Sequence, residues 1–211
     1  MSQLTTFEPS APVRLNVQGL KITDEQFALL CQENPELRLE LTAQGELIIM
    51  PPTGFVTGRR NSRVIRYVDV WAEMDGTGLS CDSSTLFILP NGARRSPDAS
   101  WVKQERIALF TEKQQEGFLP LCPDFVVEIR SPSDHLPDLQ EKMQEYIANG
   151  AQLGWLIDPI EKRIHIYRPG LPVEIFDDPA SVSGDPELPG FTLFVRELWG
   201  NNPRPKNNRI K

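Results

Sequence analysis

The sequence predicts an α/β fold, a mixed central sheet flanked by helices, from three observations. Cys122 to Ile129 is a nearly continuous apolar run, the composition of a strand covered on both faces. A second core strand, Leu153-Gly154-Trp155-Leu156-Ile157, follows it across a helical stretch at about Leu139 to Asn149. That strand–helix–strand order is the unit that pairs parallel strands, with a right-handed crossover expected. Hairpin-like segments lie on either side of the unit, so the sheet should be mixed.

In chain order, residues 1–19 are polar, contain proline and lack clear periodicity, and are expected to form an N-terminal arm. Thr23-Asp24-Glu25 opens a helix carrying Phe27, Leu29 and Leu30, which Asn34-Pro35 ends. Leu37 to Thr42 alternates, turns at Ala43-Gln44-Gly45 and returns as Glu46 to Met50, an N-terminal hairpin. After the break at Pro51-Pro52, an amphipathic helix is expected from about Thr57 to Met74, with Val64, Tyr67, Val68 and Trp71 on its buried stripe. Leu79 to Cys81, Thr85 to Leu89 and Asp98 to Val102 read as strands, with a turn at Asn91-Gly92. Arg106 to Glu116 is a loop or a short helical piece. Gly150 suits the position just past the helix that ends at Asn149. Arg163 to Tyr167 and Val173 to Phe176 form a C-terminal hairpin, Phe191 to Phe194 a last short strand, and 201–211 a polar basic tail. The core, residues 20–200, reads as a single domain.

Composition narrows the function. Hydrophobic residues make up 39% and charged residues 24% of 211, an ordinary globular balance. No apolar stretch approaches the roughly 20 residues that cross a bilayer, and the first residues lack the basic head and apolar core of a secretory leader. Cys31, Cys81 and Cys122 are too scattered for a disulfide framework or a zinc site, so a cytoplasmic setting is expected. The net charge of -7 weighs against tight DNA binding, although basic residues cluster at Arg59, Arg60, Arg63 and Arg66, at Arg94-Arg95, and in the tail.

Two carboxylates stand out: Asp98 after Pro97, and Glu128 inside the run Phe125-Val126-Val127-Glu128-Ile129. A buried carboxylate is costly to desolvate and survives by pairing or by binding a cation. Alternation puts Asp124, Val126 and Glu128 on one face of their strand. If the strand that Asp98 opens lies alongside, both acids meet at one end of the sheet, where such folds place ligands. Hard oxygen donors suit Mg²⁺ or Mn²⁺. Lys142 and Tyr146, four residues apart, share a helix face behind Glu128. Together these are the parts of metal-assisted phosphodiester hydrolysis, with Lys142 lowering the pKa of the attacking water. Glu46 could add a third acid.

The string Gly45-Glu46-Leu47-Ile48-Ile49-Met50-Pro51-Pro52-Thr53-Gly54, then Pro97-Asp98, then Pro123-Asp124-Phe125-Val126-Val127-Glu128-Ile129-Arg130-Ser131-Pro132-Ser133-Asp134, then Lys142 to Tyr146, and finally Trp155 to Pro159, resembles the Uma-two family. That family of restriction endonuclease-like proteins is common in cyanobacteria and belongs to the PD-(D/E)xK nuclease superfamily. The resemblance spans roughly residues 20 to 200. It implies a restriction-endonuclease-like core, a Mg²⁺-dependent DNA endonuclease and a homodimer. Asp98 matches the motif aspartate and Glu128 the (D/E) position; Ile129 is implied as a carbonyl ligand. The lysine expected two residues after the glutamate is Arg130 here. Arginine cannot exchange a proton near neutral pH, so the lysine role passes to Lys142 and Arg130 can only support it. The helix carrying Arg59, Arg60, Arg63 and Arg66 could line a substrate groove or a subunit contact.

Each residue also has a plainer reading. Glu128 could be a structural ion pair with Arg130 or Arg63, Asp98 a turn cap, Lys142 a solvated helix lysine and Tyr146 core packing. On that reading the chain is an inactive nuclease-fold module for binding or assembly. Divalent-cation binding at Asp98 and Glu128 separates the two.

Overall fold

The computed structural model describes residues 11–200. Thirteen strands and six helices follow one another among these residues. They are β1 (Val13–Asn16), α1 (Asp24–Glu33), β2 (Arg38–Leu41), β3 (Glu46–Met50), α2 (Phe55–Asp75), β4 (Gly78–Asp82), β5 (Phe87–Ile88), β6 (Arg94–Arg95), β7 (Ala99–Lys103), α3 (Gln104–Ile107) and α4 (Glu112–Gln115). The second half holds β8 (Phe125–Ile129), α5 (Leu136–Ala148), β9 (Leu153–Asp158), β10 (Arg163–Tyr167), β11 (Glu174–Asp177), β12 (Val182–Ser183), β13 (Thr192–Leu193) and α6 (Arg196–Trp199).

The larger sheet has the order β11-β10-β9-β8-β7-β4. β8 and β9 run parallel and the other pairs antiparallel, the mixed arrangement expected from a strand–helix–strand unit set among hairpins. Every residue of β8 is buried because the sheet is covered on both faces. Phe125, Val127 and Ile129 join α2 residues Val64, Val68 and Trp71 on one side. There Phe191 stacks on Trp155 at 5.4 Å, and Phe125 meets Trp155 edge-on at 5.0 Å. On the other side Val126 packs with Met143 and Tyr146 of α5. The helix lies so close that a Cβ at Gly154 would stand 2.5 Å from the Met143 methyl group. Gly150 has φ +112°, the backbone that lets the chain leave α5 and enter β9.

A second sheet, β1-β3-β2-β6-β5, was not foreseen as a separate layer. The expected N-terminal hairpin is its centre, and α1, capped by a reciprocal Thr23–Gln26 box, packs on it through Phe27. Part of the proposed arm is ordered structure: Val13–Asn16 pairs with β3 as an edge strand, since Val13, Arg14 and Leu15 alternate well enough to use a free edge. Residues 1–10 and the basic tail at 201–211 lie outside the described residues. β6, β12 and α6 are two to four residues long, too short to leave a periodic signal, and tertiary packing makes them. α5 starts at Leu136, a turn earlier than expected, because Pro137 suits a first helical turn. No described helix is long and apolar enough to cross a membrane.

Candidate active site

β7 and β8 bring the two carboxylates together. Ala99 pairs with Val127 in antiparallel register, so Asp98 and Glu128 occupy the same end of adjacent strands. Asp98 is fixed from two sides: the Ile129 amide donates to Oδ2 at 2.8 Å and the Asn61 side chain to Oδ1 at 2.8 Å. Glu128, only 4% exposed, accepts through Oε1 from Lys142 Nζ at 2.8 Å and from the Tyr146 hydroxyl at 3.0 Å. Helical spacing from Lys142 to Tyr146 thus sets both donors on one carboxylate oxygen.

Glu40 completes the group, and sequence reading passed it over. It is 1% exposed on β2, with Oε1 accepting from Lys142 Nζ at 2.9 Å and from the Ser96 amide at 2.9 Å. Its Oε2 pairs with Arg95 at 3.1 Å, and Arg95 also holds Glu145 at 2.6 Å. The signal was faint but present: in Leu39-Glu40-Leu41 both leucines face the α1 side, which turns Glu40 to the opposite face.

These groups line a cleft of about 770 Å³ between the two sheets. Its wall includes Arg14, Glu46 and Ile48 of the smaller sheet, Thr57 and Asn61 of α2, Ser131 and Asp134 before α5, and Asp138 within it. Glu46 stands on that wall in a half-exposed ion pair with Arg14 at 2.7 Å, away from the carboxylate pair's own hydrogen bonds. Arg130 turns to the end of β9, where it meets buried Asp158 at 2.8 Å. Arg59, Arg60 and Arg63 do not line the cleft; they donate to the backbone carbonyls of Gly200, Leu198 and Glu197. Arg60→Ala should therefore lower stability by about 1 kcal/mol in urea unfolding and leave cation affinity unchanged. A loss of substrate binding without loss of stability would give that arginine to the groove instead.

The electrostatics set the site apart from an ordinary ion pair. Burial pushes the Glu128 carboxyl up to about 7, Asp98 and Glu40 push the same way, and Lys142 only partly offsets them. Burial also raises Asp98, against the Ile129 amide and Lys142. Glu40 goes the other way: burial is outweighed by Lys142, Arg95 and the Ser96 amide, and its carboxyl titrates low. Lys142, despite burial, titrates high between Glu128 and Glu40 and is an ammonium at neutral pH. Four carboxyl groups, Asp98, Glu128, Glu40 and Glu145, gather here, and Lys142 and Arg95 make the direct ion pairs with the three glutamates. Arg38, whose guanidinium donates to the Ser83 carbonyl, supplies only a more distant field.

The donor set fits a hard divalent cation. Asn61 Oδ1 is buried beside Asp98 with no hydrogen-bond partner, an acceptor left without a donor. Among the described residues no three His, Cys, Asp or Glu side chains are grouped as a ready metal shell.

The fold is a mixed α/β sheet flanked by helices, with a cluster of carboxylates at one end of its strands. The family model for Uma2, described as "Putative restriction endonuclease", matches residues 24–196, and the chain belongs to that family. A crystal structure described as "a putative nuclease belonging to DUF820 from Anabaena variabilis ATCC 29413" superposes with a TM-score of 0.67. That match covers 78% of this chain and 90% of the other at 22% identity, a likeness of fold. No curated protein matches the chain.

Proposed function

We propose that the protein is a Mg²⁺-dependent nuclease, with Mn²⁺ able to substitute, that hydrolyses phosphodiester bonds in DNA. The observation that carries this reading is the pair of carboxylates at one end of adjacent strands, Asp98 partly buried and Glu128 buried, with the Lys142 ammonium in contact with Glu128. Asp98 and Glu128 would hold the cation, with the Ile129 carbonyl and Asn61 Oδ1 as further oxygen donors. When bound, the cation acts as a Lewis acid on the phosphoryl oxygen and lowers the pKa of the attacking water.

The chain's own residues do the rest. The Ile129 amide and Asn61 hold Asp98 in one rotamer, so its carboxylate needs no reorganisation. Tyr146, whose hydroxyl titrates well above its ordinary range because of burial and the nearby Glu128 and Glu40 charges, keeps its proton and orients Glu128. Lys142 is protonated, so it acts by charge: it favours hydroxide over water at the attacking position and stabilises the anionic phosphorane. The leaving oxygen takes its proton from solvent at the open side of the cleft.

Calorimetry of Mg²⁺ and Mn²⁺ binding tests the reading. Wild type is expected to bind either ion, and Asp98→Ala to weaken binding at least about tenfold while remaining folded. Folded wild type that binds neither ion would return the site to a structural charge cluster and favour the inactive module.

A further inference from the structure

We propose that Glu40 is a positioning residue that shares the Lys142 ammonium with Glu128 and so keeps Glu128 able to bind a cation; this rests on the nuclease reading above. Lys142 Nζ lies almost midway between two carboxylates, 2.8 Å from Glu128 Oε1 and 2.9 Å from Glu40 Oε1. An ammonium in contact with a single carboxylate neutralises it and competes with any other cation for the same oxygens. Divided between two carboxylates, it leaves Glu128 incompletely compensated.

Glu40 is built for that pull. Its Oε1 is fixed by the Ser96 amide at 2.9 Å, and Ser96 stands two residues before Asp98, so the anchor and the metal-side carboxylate share one segment. Its Oε2 is fixed by Arg95, which is itself tied to Glu145 three residues beyond Lys142 on α5. Strand β2 of the smaller sheet, the β6–β7 segment and α5 therefore meet at one carboxylate. A glutamate serving only to join the sheets would need Arg95 and the Ser96 amide, not a second grip on Lys142. Each of the three partners keeps a contact if Glu40 is made a neutral glutamine: Arg95 keeps Glu145, Lys142 keeps Glu128, and the Ser96 amide keeps an oxygen acceptor.

The test is a double-mutant cycle on the full chain, reading Mn²⁺ affinity by titration. Glu40→Gln keeps the size and the Ser96 acceptor, and is expected to weaken Mn²⁺ binding about tenfold, because Lys142 then settles on Glu128. In a Lys142→Met background the same change is expected to alter affinity by less than about threefold, since no ammonium remains to be shared. Equal weakening in both backgrounds would reduce Glu40 to a through-space charge and overturn the proposal, as would unchanged affinity in Glu40→Gln. Near-UV circular dichroism establishes that each variant is folded. If Glu40→Gln does not fold, Arg95→Met serves in its place: it loosens Glu40 and should weaken Mn²⁺ binding only where Lys142 is present. Wild type that binds no Mn²⁺ sinks the nuclease reading itself, a different outcome from binding that ignores Glu40.

Discussion

Lys142→Met is expected to leave the protein folded and able to bind Mn²⁺ at least as tightly as wild type, yet to lower the rate of phosphodiester cleavage by about 10²- to 10⁴-fold. The two halves of this result have one cause. The ammonium stands 2.8 Å from Glu128, so removing it frees an oxygen for the cation. The same removal leaves no positive group to stabilise the charge that develops on the phosphoryl oxygens. Nicking of supercoiled plasmid, followed beside Mn²⁺ titration, separates the effects. Cleavage that survives in Lys142→Met would take the lysine out of the chemistry and leave only the carboxylate pair. Methionine keeps most of the aliphatic stem and removes only the ammonium, which stands 5.9 Å from the Tyr146 ring centroid, so a general loss of packing is not expected to confuse the reading.

The second large effect concerns Glu128 and has opposite signs for stability and activity. In the folded protein its carboxyl titrates at about 7, because burial and the neighbouring Asp98 and Glu40 charges outweigh Lys142. In the unfolded chain it titrates near the ordinary 4.5. Below pH 4.5 both states hold the proton and the group costs nothing. Between there and pH 7 the unfolded state gives up its proton first, and by pH 8 an ionised Glu128 costs the apo protein about 3 kcal/mol. Glu128→Gln should therefore be more stable than wild type in urea unfolding at pH 8 with chelator present, by on the order of 1 to 3 kcal/mol, and show no gain at pH 4. It should also lose cation-induced stabilisation and cleavage. A variant less stable than wild type at pH 8 would show that the Lys142 pair, not desolvation, dominates the energy of Glu128. In wild type, cation affinity should fall as pH drops below about 7, where proton and cation compete for the same carboxylate.

Much of the frame was legible because long elements carry long signals. α2 has room for six turns of amphipathic pattern, and β8 and β9 are apolar throughout. Glu128 stands out because it interrupts such a signal, and Asp98 because it follows Pro97 at the start of the next strand. What stayed hidden depends on residues that meet only after folding. Glu40 lies 102 residues from Lys142, and nothing in Leu39-Glu40-Leu41 says which partner waits on the polar side. The split into two sheets rests on β6, two residues whose arginines look like a surface patch in sequence. They are buried at 9% and 7% exposure because carboxylates from three other elements meet them: Asp24 for Arg94, and Glu40 and Glu145 for Arg95. Arg59, Arg60 and Arg63, a second basic cluster in sequence, donate to the backbone at the C-terminal helix.

The arginine at position 130 bears on how such proteins are sorted. A pattern search that demands lysine two residues beyond the glutamate would score this chain as degenerate. Yet an ammonium reaches Glu128 from the next helix, and the vacated strand position has been given other work, closing the end of β9 through Asp158. The spacing of the motif along the chain and the placement of the charge in space are separate properties, and only the second bears on chemistry. Relatives with arginine, or any other residue, at that strand position are better sorted by what stands one helical turn before the tyrosine on the following helix.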